Sequence, residues 1–137
     1  MSVGGYSVQR MDRTAETRRL AQAYIDSLEQ RDWERLTGLL DLDVVYEMPQ
    51  SRERIRGRSA YLQFNREYPG DWHLSARRIV ADGSHAAIWV DARVGEERQV
   101  ACVWLELTGS GLIRQVTDYW PEAYEPPPGR EHLVERW

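Results

Sequence analysis

One aspartate stands in the middle of a predicted strand near the end of the chain. The segment GLIRQVTDYWPE opens with a turn glycine, continues through β-branched and aromatic residues and stops at a proline, with Asp118 in its centre. On an exposed sheet face this carboxylate would be solvated, whereas on a buried face it needs a partner, a raised pKa or a chemical role. The face that Asp118 occupies therefore decides whether acid–base chemistry is available.

A second strand repeats the combination of an aspartate with an indole. Strand alternation gives two sets that each share one face: Arg114, Val116, Asp118 and Trp120, and Ala87, Trp89, Asp91 and Arg93. If these faces border an apolar pocket, Asp118 and Asp91 project into it as general acid or base, with pKa values raised by desolvation. The alternative is that each aspartate only forms a salt bridge with an arginine, for which Arg78, Arg93 and Arg114 are available.

Other kinds of chemistry lack their sequence patterns. His73, His85 and His132 are far apart, no CxxC pair occurs, and no GxSxG elbow, GxGxxG turn or phosphate loop is present. The single cysteine, Cys102 in QVACVWLEL, is predicted to be a buried small side chain rather than a nucleophile. We therefore expect neither a metal nor a cofactor, which leaves carboxylate and tyrosine chemistry, or binding alone.

Length and composition set the frame for these residues. The 137 residues fit a single domain, 1–137, and no apolar run approaches the roughly 20 residues that a membrane span needs. The N-terminal segment lacks the apolar core of a signal peptide, so we expect a soluble, cytoplasmic protein without a membrane partner. The net charge of −4 argues against nucleic-acid binding. All 18 basic residues are arginine, which indicates a bacterial, high-GC source.

The order of predicted elements indicates an α+β domain. Helical spacing of apolar residues, including Tyr24, predicts a helix over 14–30, a short one over 32–40 and a third from about 59 to 69. A short strand is predicted at 43–48, and four more follow as SARRIVA, HAAIWVDARV, RQVACVWLELT and LIRQVTDYW. Helices first and strands afterwards predict helices packed on one face of a strongly curved, mainly antiparallel sheet.

The two ends of the chain and one basic segment are assigned separately. We expect residues 1–12 to be a flexible arm and residues 125–137 to be a proline-rich tail. The tail carries three apolar residues, Leu133, Val134 and Trp137, which must be buried on their own domain or on a dimer partner. The arginine cluster RERIRGR is interpreted as a solvated loop.

Several phrases of the sequence resemble the SnoaL-like branch of the NTF2-like superfamily. These are AQAYIDSLEQRDWERLTGLL, VVYEMPQSRERIRGR with its following helix, LIRQVTDYWPE and the proline-rich end. The resemblance implies a cone of three helices against a curved mixed sheet that encloses a pocket, generally in a homodimer. Such proteins include polyketide cyclases, steroid isomerases, epoxide hydrolases and proteins without catalytic activity.

Residue by residue, limonene-epoxide-hydrolase-type members offer one comparison. Asp118 lies at the position of their water-activating aspartate, Asp91 resembles their second acid, and Tyr46 resembles the tyrosine that helps to hold the water. This sequence departs from the pattern in two places. Trp89 stands where the arginine that bridges the two acids should be, and Glu47 or Met48 replaces the asparagine. An epoxide hydrolase would then need Arg93 or Arg114 to reach both acids.

Ketosteroid isomerases and SnoaL-type cyclases offer two further comparisons. Tyr24 matches the oxyanion-binding tyrosine of the isomerases, but Met48 and a position near Val103 stand where their two acids should be. The cyclases use one aspartate on a late strand in a largely apolar pocket, a position that Asp118 matches.

The resulting hypothesis is a homodimeric, cofactor-independent cyclase- or isomerase-type enzyme for a small, mostly apolar ligand, with polycyclic molecules among the candidates. Its proposed catalytic residues are Asp118, Asp91, Tyr24 and Tyr46. Its proposed pocket walls are Trp89, Trp104, Trp120, Met48 and Val116. The alternatives are a non-catalytic module that binds a ligand or dimerises, and an epoxide hydrolase with an altered acid pair.

Overall fold

Three helices and six strands follow the order that the sequence predicts, with one extra strand. The computed structural model describes the backbone of residues 3–137 and the side chains of residues 9–137. The helices are α1 (Val3–Glu29), α2 (Trp33–Leu39) and α3 (Arg58–Glu67). The strands are β1 (Leu40–Met48), β2 (Glu53–Arg56), β3 (Trp72–Asp82), β4 (His85–Val94), β5 (Glu97–Leu107) and β6 (Ile113–Tyr119). No helix in the described part of the chain is long and apolar enough to cross a membrane.

All six strands form one open sheet in the order β2-β1-β6-β5-β4-β3. The neighbours β1 and β6 run parallel, and every other neighbouring pair is antiparallel. The parallel pair joins β1, the first strand in sequence, to β6, the last one. Residues that are distant in sequence therefore meet within the sheet. The expected α+β fold with a mixed, mainly antiparallel sheet is confirmed.

Two segments differ from the expected elements. The first helix begins at Val3, so residues 3–12 of the expected flexible arm are helical, while residues 1 and 2 lie outside the described residues. The arginine cluster contains the edge strand β2, and Arg54 in it pairs with Glu47 of β1 at 2.7 Å. Three of the four residues of β2 are exposed and charged, so the strand lacks the apolar alternation by which a strand is recognised.

Helix α1 packs its apolar side on the sheet and is fastened to the turn between β3 and β4. Tyr24, Ile25 and Leu28 are buried, as their helical spacing predicts. The hydroxyl of Thr17 donates to the carbonyl of Gly83 at 2.7 Å. The N–H of Gly83 in turn donates to the hydroxyl of Thr14 at 2.8 Å. These bonds fix the position of Tyr24 relative to the strands.

Strand alternation separates an inner face, which the helices cover, from an outer face. The buried inner positions of β4 and β5 are apolar: Ala86, Ile88, Val90, Ala92, Ala101, Val103 and Leu105. The outer positions of the same strands include Trp89, Cys102 and Trp104, all of which are exposed. The expectation that Cys102 is buried is therefore wrong, because its neighbours Ala101 and Val103 take the inward positions of the strand.

A bulge in β6 changes which residues share a face with Asp118. In the neighbouring strand β5, Glu106 pairs with Gln115, but the next residue, Leu107, pairs with Ile113. Arg114 is the extra residue, and it points outward while Val116 is buried. Val116 and Asp118 still share one face of the strand. Arg114, which strict alternation predicts on the same face, lies on the other one because of the bulge.

The C-terminal tail leaves its apolar side chains uncovered. Leu133, Val134 and Trp137 are all exposed, and so is Tyr124 at the start of the tail. Packing of these residues on their own domain, one of the two expected arrangements, is not found.

Candidate functional site

The register of the parallel strands brings Tyr46 and Asp118 together. Tyr46 of β1 pairs with Val116 of β6, so Asp118 lies on the same inner face two residues further along. The hydroxyl of Tyr46 donates a hydrogen bond of 2.7 Å to Oδ2 of Asp118. Asp118 therefore lies on the inner face of the sheet, beneath the helices, where it is only 9% exposed to solvent.

The second carboxylate oxygen of Asp118 has no partner. Oδ1 is buried and makes no hydrogen bond. Burial raises the pKa of Asp118 above its ordinary value, while the hydrogen bond from Tyr46 acts to lower it. The indole N–H of Trp120 also acts to lower it through a weak contact with the carboxylate, but this contact does not meet hydrogen-bond geometry and leaves Oδ1 without a partner. A buried carboxyl with a raised pKa and one unused oxygen can exchange a proton with a ligand.

A second hydrogen-bonded pair lies beside this carboxylate. The hydroxyls of Tyr24 from α1 and Tyr61 from α3 are 2.5 Å apart. The rings of Tyr61 and Tyr46 stack with their centroids 4.9 Å apart, which joins the two pairs. Burial raises the pKa of Tyr24, Tyr46 and Tyr61, so all three phenols remain protonated at neutral pH. They can donate hydrogen bonds to a ligand, but they do not present a negatively charged phenolate to it.

These four side chains line a cavity of about 90 Å³ between the helices and the inner face. The remaining lining is largely apolar and includes four more aromatic residues, Phe64, Tyr68, Trp72 and Trp120. The cavity is smaller than the roughly 150 Å³ that encloses a benzene molecule. It is also well below the roughly 300–1,000 Å³ that is usual for drug-sized ligands. A ligand held entirely inside must therefore be small, and a larger one would have to extend outward.

Two aromatic walls of the cavity are held by polar contacts. The side chain of Gln50 accepts from the backbone N–H of Trp120 at 2.6 Å and donates to its carbonyl. The guanidinium of Arg31 stacks on the ring of Trp72, 3.2 Å from its centroid. Tyr68 is half exposed and therefore lies where the lining meets solvent.

Five of the residues proposed for the site meet at this cavity. Asp118, Tyr24, Tyr46, Met48 and Trp120 all line it, although they come from three different elements, α1, β1 and β6 with the residue that follows it. Val116, which was expected in the wall, is fully buried but is not among the lining residues. It lies one alternation before Asp118, deeper in the core.

The structure does not bring Asp91, Trp89 or Trp104 to the cavity. Asp91 is exposed, and the two indoles are 46% and 48% exposed on the outer face. The expected grouping of Trp89 with Asp91 on one face of β4 holds, but this is the face opposite to Asp118. The physical reason is that the alternate positions, from Ala86 to Ala92, are all apolar and take the core side.

Neither the salt-bridge alternative nor the bridging arginine is found at Asp118. Its carboxylate accepts from a tyrosine, and the cavity lining contains no arginine. On the outer face, Arg93 donates to the carbonyl of Gly95 at 2.6 Å, and Arg114 pairs with Glu106. Asp91 and Asp118 lie on opposite faces of the sheet, so the acid pair needed for an epoxide hydrolase of the limonene type is not assembled.

Sequence reasoning missed the aromatic residues of α3 and the start of β3. Tyr61, Phe64 and Tyr68 follow one another at spacings of three and four residues, which places them on one side of the helix and its end. That stripe was a usable signal for a wall opposite the sheet. Trp72, which closes the same wall, carries no local pattern that would reveal its position.

The position opposite Asp118 carries no second acid. Val103 of β5 pairs directly with Asp118 and lines the cavity, and Met48 lines it from β1. These are the two positions at which the ketosteroid isomerases resembled by the sequence have acids. Within the described residues, no cluster of three or more His, Cys, Asp or Glu side chains could hold a metal ion.

Comparisons with known proteins agree with this architecture. The family model of the SnoaL-like domain matches residues 21–116, which ends two residues before Asp118. A comparison with curated protein sequences finds no significant match. The crystal structure of a candidate ketosteroid isomerase from Kribbella flavida DSM 17836 is similar with 57% identity and a TM-score of 0.87, over 90% of this chain and 91% of that chain.

Two other crystal structures are similar over most of the chain. An NTF2-like protein of unknown function from Burkholderia xenovorans LB400 has 22% identity and a TM-score of 0.76, covering 91% of this chain and 98% of that chain. An LEH-like epoxide hydrolase from M. tuberculosis has 26% identity and a TM-score of 0.67, covering 79% and 84%. The resemblance stated from the sequence is confirmed: the chain has the NTF2-like fold and belongs to the SnoaL-like domain family.

Proposed function

We propose that this protein binds a small, mostly apolar molecule in its aromatic cavity and that Asp118 acts on it as general acid or base. The reaction would be of the cyclase or isomerase type, without a cofactor. The observation that carries this proposal is the unpartnered Oδ1 of Asp118, a buried carboxylate oxygen at the cavity. Such an oxygen costs folding free energy unless a ligand or a reaction uses it.

The surrounding phenols supply the complementary groups. Of the two hydroxyls in the Tyr24–Tyr61 pair, one donates to the other, which leaves one O–H free to donate to a ligand oxygen. Tyr46 holds Oδ2 of Asp118 and so orients the carboxylate toward the reacting atom. A ligand with a carbonyl group and an adjacent C–H bond would meet a base on one side and a hydrogen-bond donor on the other.

The relatives support proton transfer as the reaction class. The candidate isomerase from Kribbella flavida is 57% identical over nearly the whole chain. With Met48 and Val103 in place of the two acids of the isomerase pattern, Asp118 is the carboxyl group that lines the cavity. A polycyclic substrate would have to place only its reacting end in the cavity, because the enclosed volume of about 90 Å³ is too small for the whole molecule.

The proposal can be tested without knowing the natural substrate. A base in this cavity should accelerate the exchange of α-protons of small ketones, such as acetone and butanone, into D₂O. Asp118→Asn should reduce that exchange by at least roughly a hundredfold, since general base catalysis contributes about 10²–10⁴. The measurement is loss of the α-proton NMR signal. Asp43→Asn, which removes an exposed carboxylate from β1, is the matched control. Equal exchange in wild type and Asp118→Asn would remove the catalytic assignment.

A non-catalytic ligand-binding module is the second candidate function. It is favoured by the absence of a second acid in the cavity lining, where Val103 faces Asp118. Such a protein would hold a ligand through Oδ1 and the free phenol without transferring a proton. Saturable binding of a small ketone in wild type, with no α-proton exchange above the rate in buffer, would favour this candidate over the enzyme.

We also propose that the protein is a homodimer joined through the outer face of the sheet. Four exposed apolar side chains lie together there on β4, β5 and β6: Trp89, Val100, Trp104 and Tyr119. Trp89 and Tyr119 both pair with Cys102 across the strands, so the patch is continuous. Continuous exposed apolar patches commonly mark interfaces.

Sedimentation velocity measures this association directly. Wild type should sediment as a dimer, and Trp104→Glu, which places a charge in the centre of the patch, should sediment as a monomer. Met11→Glu on helix α1 is the control, because Met11 is exposed on the helix that covers the inner face of the sheet. A monomeric wild type at all concentrations would remove the dimer.

A further inference from the structure

The charges around the cavity are unbalanced. Among the described residues that line the cavity, Asp118 is the only ionisable acid or base other than the tyrosines, and none is an arginine or a histidine. Arg31 stacks on the ring of Trp72 but does not line the cavity. When Asp118 ionises, no positive group of the lining compensates its charge, and Oδ1 has no hydrogen-bond donor. The cavity is therefore electrostatically suited to a cation.

The remaining walls have the composition that binds organic cations. Seven of the lining residues are aromatic, and they come from both the helices and the strands. Tyr46 stacks against Tyr61 and packs at a tilt on Phe64, with ring centroids 5.4 Å apart in the second pair. Ring faces attract alkylated ammonium groups through their quadrupoles while the same rings accept the alkyl groups as apolar surface.

We propose that the ligand of this cavity is a small alkylammonium ion, with its nitrogen bound by Oδ1 of Asp118 and its alkyl groups against the aromatic rings. This inference rests on the proposed function only for the cavity as a binding site and does not depend on catalysis by Asp118. Toward such a cation Asp118 is a counter-ion and not a base, so the ion is a ligand of the cavity and not the carbonyl substrate of the proposed reaction.

While Asp118 is ionised, size and charge together favour this ligand class over others in the cavity. About 90 Å³ accepts a cation with a few heavy atoms but not an aromatic or polycyclic one. A carboxylate or phosphate would face Asp118 without a basic partner. A neutral alcohol would satisfy Oδ1 but would leave the negative charge of the ionised Asp118 uncompensated in a buried site. A hydrated metal ion would have only one carboxylate to bind it, and the described residues offer no metal-binding cluster.

The sharpest probe is a pair of molecules that differ only in the polar group. Isopropylammonium and isopropanol share one carbon skeleton, and both can donate a hydrogen bond to Oδ1. NMR titrations of the wild-type protein at neutral pH should give a Kd for isopropylammonium at least about tenfold lower than for isopropanol, since charge-assisted and cation–π contacts are available only to the former. This comparison uses the wild-type chain and does not depend on any variant folding.

Two variants test whether the preference for the cation arises at Asp118. Asp118→Asn keeps the shape of the side chain and should bring the two Kd values to within about threefold of each other, since only the charge is removed. Asp43→Asn removes an exposed carboxylate from β1 and should retain the tenfold preference.

The outcomes separate this inference from the proposed function. Equal binding of the two probes to wild type would overturn the cation preference and leave ligand binding by the cavity intact. Loss of the preference in Asp43→Asn would also overturn it, since the effect would then reflect the net charge of the protein. Failure of both probes to bind would also overturn the inference, while the proposed function would still be decided by the binding and α-proton exchange of the small ketones.

Discussion

The two faces of the sheet carry the same residue types with opposite consequences. On the inner face, Asp118 and Trp120 border a cavity, and burial raises the pKa of the carboxyl group. On the outer face, Asp91 and Trp89 stand two residues apart on one strand and are both exposed. An aspartate beside a tryptophan therefore indicates a site only when the strand turns that side toward the helices.

The faces differ because of their neighbours rather than because of the aspartates. The inward positions of β4 are small or branched apolar residues that are all buried, so the indole and the carboxylate of this strand take its outward positions. Around Asp118 the helices contribute rings instead, and the bonds between Tyr24 and Tyr61 and between Tyr46 and Asp118 satisfy most of the buried polar groups. The cavity exists where aromatic side chains meet across the fold.

Truncation of a leucine should give the largest contrast between the faces. Leu105 of β5 is fully buried, whereas Leu42 of β1 is 65% exposed. Leu105→Ala should lower the free energy of unfolding by about 3 kcal/mol, because it removes apolar contacts and leaves a cavity. Leu42→Ala should change it by less than about 0.5 kcal/mol. Urea denaturation measures both. Similar losses in the two variants would break the assignment of faces.

A smaller contrast should follow from removal of one phenol oxygen. Tyr46→Phe leaves Oδ2 of Asp118 without its donor and should cost about 1–3 kcal/mol, the usual range for an unsatisfied buried group. The pKa of Asp118 should rise further, because the hydrogen bond from Tyr46 acts to lower it. Tyr119→Phe on the exposed outer face is the control and should be nearly neutral. Thermal unfolding of the two variants at neutral pH decides between these outcomes, and an unaffected Tyr46→Phe would remove the role of this bond.

The smallest contrast concerns the pH dependence of stability. Burial raises the pKa of Asp118 in the folded state, so the folded protein retains a proton that the unfolded chain has already lost. The free energy of unfolding should therefore fall as pH rises from about 3.9, the unfolded value, through the raised folded value. Asp118→Asn has no carboxyl group to titrate at this position, so its free energy of unfolding should not fall in this way and should exceed that of the wild type as pH increases. Asp91→Asn, which changes a solvated carboxylate, should follow the wild-type curve. Parallel curves for wild type and Asp118→Asn would contradict the burial of an ionisable group.

Most of the fold could be predicted from the sequence because its elements carry strong periodic patterns. The apolar spacing in α1 and the alternation in β4 and β5 each identify an element and its approximate limits. The strand β2 could not be recognised, since ERIR is short, charged and held mainly by pairing with β1. The bulge at Arg114 was likewise invisible, because it depends on how β5 and β6 pair rather than on a local motif.

The site was predictable in part, and the errors share one cause. The sequence predicts Tyr24, Tyr46 and Asp118 as site residues, and they line one cavity. It also groups Asp91 and Trp89 with them, because each aspartate shares a strand face with a tryptophan. The uniform apolar character of the alternate positions in HAAIWVDARV was the stronger signal, and it assigns Asp91 to the outside. Catalytic roles for these residues stay predictions.

The most direct test of the account is the titration of the Asp118 carboxyl group itself. The ¹³C chemical shift of its carboxyl carbon can be followed with pH by NMR and assigned by its disappearance in Asp118→Asn. We expect a pKa clearly above the ordinary value of about 3.9, because burial outweighs the hydrogen bond from Tyr46. A pKa at or below that value would mean that the carboxylate is solvated or paired, and Asp118 would then be a structural residue.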